Sequence, residues 1–142
     1  MGDGFGIYQK SEVGYFKSPA VGNSFGIIVN VDKKVLLLYK GSRLFRRYPV
    51  ALGASETPTP EGSFVILEKK LDAGEYFLGF TKRWNPRGIG IDYCGIHGTS
   101  DPAPLNFQYS KGCVLMRYPD LAELALFVAE GMPVIIRDRK AQ

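Results

Sequence analysis

The sequence has few of the residues that disulfide frameworks and metal centres require, and it lacks the long apolar run of a membrane span. It holds two cysteines and one histidine among 142 residues, so a disulfide-stapled fold is excluded. No eighteen consecutive residues are apolar, which excludes a transmembrane helix of ordinary length within this sequence. The start, Met1 to Gly4, lacks the basic and apolar regions of a signal peptide, so we expect a soluble chain, either as it stands or as a piece of an exported or anchored protein.

Long runs of one charge are also absent. The formal net charge is +4 and the isoelectric point is near 9.1, but the basic residues come as isolated pairs such as Arg46-Arg47 and Lys69-Lys70. Nucleic-acid binding usually shows a continuous basic stripe with interleaved aromatic residues. We therefore expect no nucleic-acid partner and interpret the charge mainly as a solvated surface.

What the sequence does contain favours a mainly β fold. Hydrophobic residues make up 45% and aromatic residues 13%, while 17 glycines and 9 prolines are scattered along the chain. The length suits a single domain, in which residues 1–25 form an N-terminal segment and residues 26–142 the main body. Alternation and turn signals predict strands at 26–31, 35–39, 44–52, 63–67 and 134–136, and apolar spacing predicts one packed helix at 119–129.

Two short motifs carry residues that can do chemistry. The single histidine lies in Gly95-Ile96-His97-Gly98-Thr99, and a cysteine follows in Ser110-Lys111-Gly112-Cys113-Val114. A cysteine is nucleophilic as its thiolate, which a neighbouring imidazole or cation stabilises. The sequence therefore predicts a pair in which His97 takes the proton of Cys113 and the thiolate attacks a carbonyl, with backbone amides of the cysteine turn binding the oxyanion.

Two other interpretations of these residues stay open from the sequence alone. Most single cysteines are small buried hydrophobes, and most single histidines are hydrogen-bonded residues without a catalytic role. A metal site is a poorer interpretation, because Cys94, His97 and Cys113 supply three ligand types with no clear fourth. On an extended strand, moreover, Cys94 and His97 point to opposite faces. We therefore expect no metal.

The two motifs together resemble the active-site signature of the L,D-transpeptidase family, also called the YkuD family. The likeness extends over roughly residues 25 to 137 and includes Tyr48-Pro49-Val50, the segment Thr57 to Phe64 and Gly131-Met132-Pro133-Val134. It implies a mainly β, L,D-transpeptidase-like β-sandwich with one packed helix and a short helix or loop near the active site. For the segment 57–62 we expect only a scaffold role.

The resemblance implies a peptidoglycan L,D-transpeptidase, a bacterial cell-wall acyltransferase. In this family a cysteine forms an acyl-enzyme on a stem tetrapeptide, releases D-alanine and passes the acyl group to an amine. Cys113 would be the nucleophile and His97 the base, with the carbonyl of Gly98 orienting the histidine and the amide of Gly112 serving the oxyanion. Peptidoglycan stem peptides and β-lactams of the carbapenem class would be its partners, without metal or cofactor, in an extracytoplasmic location.

Further residues are candidates for binding the substrate, and two positions depart from the family's common form. Lys111 stands where the family commonly has histidine, and Leu115 where it has arginine. Alternation puts Cys113, Leu115 and Arg117 on one face, so we hypothesise that Arg117 replaces the missing guanidinium. The predicted substrate-binding residues are Ser110, Lys111, Thr99, Arg117, Trp84 and Arg87, the last two as a wall of the acyl-donor cleft. An L,D-carboxypeptidase that uses water, or a catalytically decayed wall-binding module, is the alternative function.

Overall fold

The structure is a computed structural model that describes residues 22–72, 75–82, 94–105, 108–110 and 112–137. Within these ranges strands dominate and one helix is present, which confirms the mainly β prediction. The strands are β1 Phe25–Asn30, β2 Val35–Lys40, β3 Arg43–Pro49, β4 Leu52–Gly53, β5 Gly62–Asp72, β6 Glu75–Lys82, β7 Cys94–Thr99, β8 Tyr109–Ser110, β9 Val114–Arg117 and β10 Pro133–Arg137; the helix α1 is Tyr118–Ala125.

Eight of the strands form one sheet in the order β3-β2-β1-β10-β5-β6-β7-β9, and β4 pairs with β8 separately. Two neighbouring pairs are parallel, β1 with β10 and β7 with β9. Ala51, just after β3, exchanges two backbone hydrogen bonds of 2.9 Å with Leu115 of β9. Because β3 and β9 are the two edges of the sheet, this bridge makes the sheet curl until its edges meet.

The core fills the inside of the curled sheet. Alternate residues of the strands are fully buried there, and α1 adds Leu121 and Leu124 from its inner face. The outer face of α1 is tied to β3, since the hydroxyl of Tyr48 donates a 2.6 Å hydrogen bond to Oε1 of Glu123. Burial, followed by this bond to Glu123, raises the pKa of the Tyr48 phenol above its ordinary value. The helix is thus fixed next to β6, β7 and β9.

The helix is shorter than the sequence predicted. It ends at Ala125, because the next two amides, of Leu126 and Phe127, bond to carbonyls three residues earlier, at 3.1 and 2.9 Å. Val128 is nevertheless buried, which explains why the apolar spacing continued beyond the helix. The prediction of a helix reaching residue 129 was therefore wrong at its carboxyl end.

Two strand predictions also change. The strand predicted at 44–52 divides after Pro49, where its pairing with β2 ends. The Val50 N–H then bonds to the carbonyl of Lys34, Ala51 bridges to β9, and β4 pairs with β8. The hairpin of β5 and β6 was not predicted, since a register shift between Ile66 and Glu68 interrupts the alternation on which strand prediction depends.

Several predictions lie outside the described residues. They concern most of the N-terminal segment predicted at 1–25 and the loop that carries Trp84 and Arg87. In the described part of the chain, the helix is too short and not apolar enough to cross a membrane.

Candidate active site

The register of two parallel strands positions His97. Ile96 in β7 is paired with Val114 in β9, and His97 with Leu115. Ile96, Val114 and Met116 have no exposed surface and belong to the core, so the alternate residues must point outward. His97 and Leu115 are indeed partly exposed, and they lie side by side on the outer face of the sheet.

Cys113 immediately precedes β9, and an extended backbone from Cys113 to Leu115 would direct its side chain to the same outer face. It comes two residues before Leu115, the register partner of His97, and is half-buried with contacts to the edge of the core. With strands about 4.8 Å apart and a rise of about 3.3 Å per residue, the Cα atoms of Cys113 and His97 should be about 8 Å apart. The two reactive side chains of the sequence motifs are thus brought to neighbouring positions.

The hydroxyl of Ser110 organises the turn that leads into Cys113. Its Oγ accepts the Gly112 N–H at 3.0 Å and donates a short hydrogen bond to the carbonyl of Cys113. Gly112 has a φ of 122°, a backbone conformation that residues with a side chain rarely adopt. The Ser110 side chain, predicted to bind substrate, is therefore directed into the turn, and the Gly112 amide, predicted to serve the oxyanion, donates to Ser110.

Gly98, which follows His97 in the histidine motif, packs against the aromatic ring of Tyr118, a residue that the sequence motifs do not include. A Cβ atom on Gly98 would lie 2.3 Å from Cδ1 and Cε1 of Tyr118, far closer than real contacts allow. Tyr118 begins α1 and is 37% exposed, so its ring is partly covered where it packs on Gly98. The glycine of the motif is thus required by packing.

Thr99 and Arg117, register partners at the end of β7 and β9, hold the loop that follows the histidine motif. The Asp101 N–H donates to Oγ1 of Thr99 at 3.2 Å. Two guanidinium nitrogens of Arg117 donate short hydrogen bonds to the carbonyls of Asp101 and Ala103. Arg117 lies four residues beyond Cys113, or about 13 Å along an extended strand. Both side chains, predicted to bind substrate, therefore contact protein backbone.

A cavity of about 390 Å³ adjoins Arg117. Neither His97 nor Cys113 lines it, so it is separate from the reactive pair. Its lining carries three cationic side chains and one carboxylate, and comprises Asp32, Lys33, Lys34, Pro49, Val50, Leu105 and Arg117.

The remaining predicted site residues, Trp84, Arg87 and Lys111, lie outside the described residues. Among the residues that the structure describes, no three His, Cys, Asp or Glu side chains are grouped so that they could hold a metal ion. The contact that sequence reasoning missed most clearly is that of Thr57, whose Oγ1 donates to the Ser110 carbonyl at 3.3 Å across 53 residues of sequence.

Comparison with known proteins identifies the family of the domain. The family model described as YkuD, the L,D-transpeptidase catalytic domain, matches residues 24–136. A relative provisionally named L,D-transpeptidase YkuD in Bacillus licheniformis is 34% identical over 116 residues, which cover 79% of this chain and 65% of that protein. The chain thus spans somewhat less than two thirds of that relative's length.

Solved structures share the fold. An L,D-transpeptidase of Enterococcus faecium superposes with a TM-score of 0.67 at 18% identity, covering 82% of this chain and 50% of that one. The L,D-transpeptidase LdtMt1 in complex with imipenem superposes with a TM-score of 0.61 at 18% identity, covering 82% and 60%. These likenesses confirm the predicted β-sandwich fold. On the strength of the family match over most of its length, the chain belongs to the YkuD family of L,D-transpeptidase catalytic domains.

Proposed function

We propose that this domain is an L,D-transpeptidase that acts on a peptidoglycan stem tetrapeptide through Cys113 and His97. The observation that carries the proposal is the parallel register of β7 and β9, which supports a partly exposed thiol and a partly exposed imidazole on one face. A nucleophile and a base within mutual reach, beside a small-residue turn, are the parts that acyl transfer requires.

In the acylation step His97 removes the proton of the Cys113 thiol. The thiolate attacks the carbonyl carbon that joins the third residue of the stem to its terminal D-alanine. The carbon–nitrogen bond then breaks, and the departing amine of D-alanine takes the proton from His97. The product is a thioester between Cys113 and the shortened stem, with free D-alanine released.

In the second step an amine of another stem attacks the thioester. His97 accepts a proton from this amine, the carbon–sulfur bond breaks and the Cys113 thiol is restored. Backbone amides of the cysteine turn, that of Gly112 included, serve the oxyanion, with the Gly112 N–H shared with Ser110. The carbonyl of Gly98 orients His97, and no metal or organic cofactor takes part.

The site belongs outside the cytoplasmic membrane, where peptidoglycan lies. A β-lactam ring offers the same thiolate a strained carbonyl, and structures with matching folds include complexes named for imipenem and avibactam. A carbapenem is therefore the reagent of choice for testing the nucleophile before any stem peptide is prepared.

The test is the intact mass of the domain after incubation with a carbapenem. The native protein and a Cys94→Ala control should gain one carbapenem mass, whereas Cys113→Ala should gain none and His97→Ala should acylate slowly. Loss of the adduct in Cys94→Ala with retention in Cys113→Ala would overturn the assignment. A folded native domain that forms no adduct would instead support a decayed, wall-binding module.

The acyl acceptor is decided with the substrate itself. Incubation with a stem tetrapeptide should release D-alanine and form a cross-linked dimer, because an amine intercepts the thioester. Tripeptide without dimer would show that water is the acceptor and that the domain is an L,D-carboxypeptidase.

A further inference from the structure

The segment Thr57 to Thr59 lies directly against the turn that carries Cys113. The Thr57 hydroxyl donates to the carbonyl of Ser110 at 3.3 Å. The carbonyl oxygens of Pro58 and Thr57 lie 3.6 and 3.8 Å from the position that a Cβ on Gly112 would occupy. The cysteine turn is therefore packed from outside by the backbone of this segment as well as bonded to it.

Thr59 makes a second connection, through β4. It is one of two buried polar residues in the described part of the chain, with 6% of its surface exposed. Its Oγ1 accepts the Gly53 N–H at 2.9 Å, and Gly53 pairs with Ser110 in the ladder of β4 and β8. A Cβ on Gly53 would lie 2.0 Å from the carbonyl oxygen of Thr57, so only glycine fits between the segment and the ladder.

The segment is well suited to hold its neighbours still. The Thr57 N–H bonds to the carbonyl of Ala54 at 3.0 Å, which closes a turn at its start. Pro58 and Pro60 each have a fixed φ, so few backbone conformations are open to the residues between them. This stiff segment restrains Ser110 directly through the hydroxyl of Thr57 and indirectly through the bond of Thr59 to Gly53.

Ser110 passes this restraint to the nucleophile. Its carbonyl receives the bond from Thr57, its backbone is paired with Gly53, and its hydroxyl bonds to both Gly112 and Cys113. We infer that Thr57 and Thr59 are positioning residues, which hold the Ser110–Cys113 turn so that the thiol and the oxyanion amides meet the substrate carbonyl together. This inference rests on the proposed role of Cys113 as nucleophile.

The decisive variants remove one hydroxyl and keep the shape of the side chain. Thr59→Val should lower the first-order rate of Cys113 acylation at saturating carbapenem about tenfold, since a misplacement of about 1 Å can cost about 100-fold in rate. The carbapenem concentration for half-maximal rate should change little. Thr57→Val should have a smaller effect, about threefold, because its contact is longer and exposed.

Matched variants separate positioning from simple loss of stability. Thr59→Ser and Thr57→Ser restore the hydroxyl and should recover most of the native rate, while Ser55→Ala, exposed in the same loop, should acylate as the native domain does. Alkylation of Cys113 by iodoacetamide, measured in a Cys94→Ala background, should stay near the native rate in all of them, because this reaction needs no oxyanion site.

Failure of this inference can be distinguished from failure of the proposed function. If the proposed function is wrong, the native domain itself will not be acylated. Native acylation rates in folded Thr59→Val and Thr57→Val, or serine variants as slow as the valine ones, would overturn the inference. If Thr59→Val does not fold, Thr57→Val and Thr57→Ser decide alone, since Thr57 is exposed and its replacement leaves the core intact.

Discussion

Replacing Arg117 with methionine should release the loop that follows the histidine motif. The guanidinium donates to the carbonyls of Asp101 and Ala103, and methionine keeps the apolar stem while removing both donors. Hydrogen bonds from a charged group contribute about 1.5 to 3 kcal/mol when buried, but these are partly exposed and solvent screening reduces them. We therefore expect a combined loss of about 2 kcal/mol in the free energy of opening this loop.

Hydrogen exchange followed by mass spectrometry measures that loss directly. A loss of about 2 kcal/mol corresponds to amide exchange about 30-fold faster in a peptide covering residues 99–105, with peptides from β1 and β2 unchanged. The exchange rate of Arg117→Lys should lie between those of the native domain and Arg117→Met, because an ammonium group cannot reproduce the bidentate contact of the guanidinium. Native exchange in this peptide for Arg117→Met would refute the reasoning.

The same variant tests whether Arg117 also binds substrate, as the sequence suggested. If its main role is to hold the loop, exchange should accelerate while the half-saturating concentration of carbapenem or tetrapeptide changes little. A large rise in that concentration without faster exchange would show instead that the guanidinium contacts the substrate. The two roles thus give opposite patterns in two independent measurements.

Three further predictions concern residues around α1. Tyr48→Phe removes the bond to Glu123, whose carboxylate is about half exposed and regains water, so we expect a cost of about 1 kcal/mol and a melting temperature about 2 to 5 °C lower by calorimetry; an unchanged melting temperature would contradict this. Gly98→Ala forces a Cβ into the Tyr118 ring and should cost about 1 to 3 kcal/mol, which the double variant with Tyr118→Ala should largely recover in the same melting assay. Burial, then repulsion from Glu123, raises the pKa of Asp120 against the opposing effect of Arg117, so its protonated form is favoured by folding and that stabilisation is lost as pH rises. Asp120→Asn should therefore have a higher melting temperature than the native domain at neutral pH, and the two melting temperatures should coincide at about pH 3. A lower melting temperature for the variant at neutral pH would refute the direction of the pKa shift.

The proposed pair can be named from the sequence because its signal is local. Two short motifs contain His97 and Cys113, and the apolar residues beside them, Ile96 and Val114, indicate buried strands. The structure adds the parallel pairing of β7 with β9, which brings the two motifs to neighbouring strands. The curled sheet is harder to foresee, because the bridge of Ala51 to Leu115 joins residues far apart in sequence and leaves no periodic trace.

Contacts that support the site escaped prediction for the same reason. Thr57 and Ser110 are separated by 53 residues, and nothing in a threonine flanked by prolines indicates which carbonyl its hydroxyl will reach. The two prolines of this segment predict a stiff connector, but they do not indicate which residues it contacts. Alternation predicts Arg117 on the same face as Leu115, but it does not predict that the long side chain reaches the carbonyls of Asp101 and Ala103.

Leu115, one of the two positions that depart from the family's common form, is best understood together with Arg117. Outward positions on β9 alternate, so an arginine at 115 would lie in register with His97, whereas Arg117 lies in register with Thr99. Arg117 thus supplies a cation two residues, or about 6.6 Å, further along the strand than Leu115, where it bonds the loop carbonyls. If Cys113 and His97 react as proposed, a carbapenem adduct will form on Cys113 despite the leucine at 115. The Arg117 variants then measure how far the loop held by Arg117 supports that reaction, whereas a native domain without an adduct would favour the decayed module.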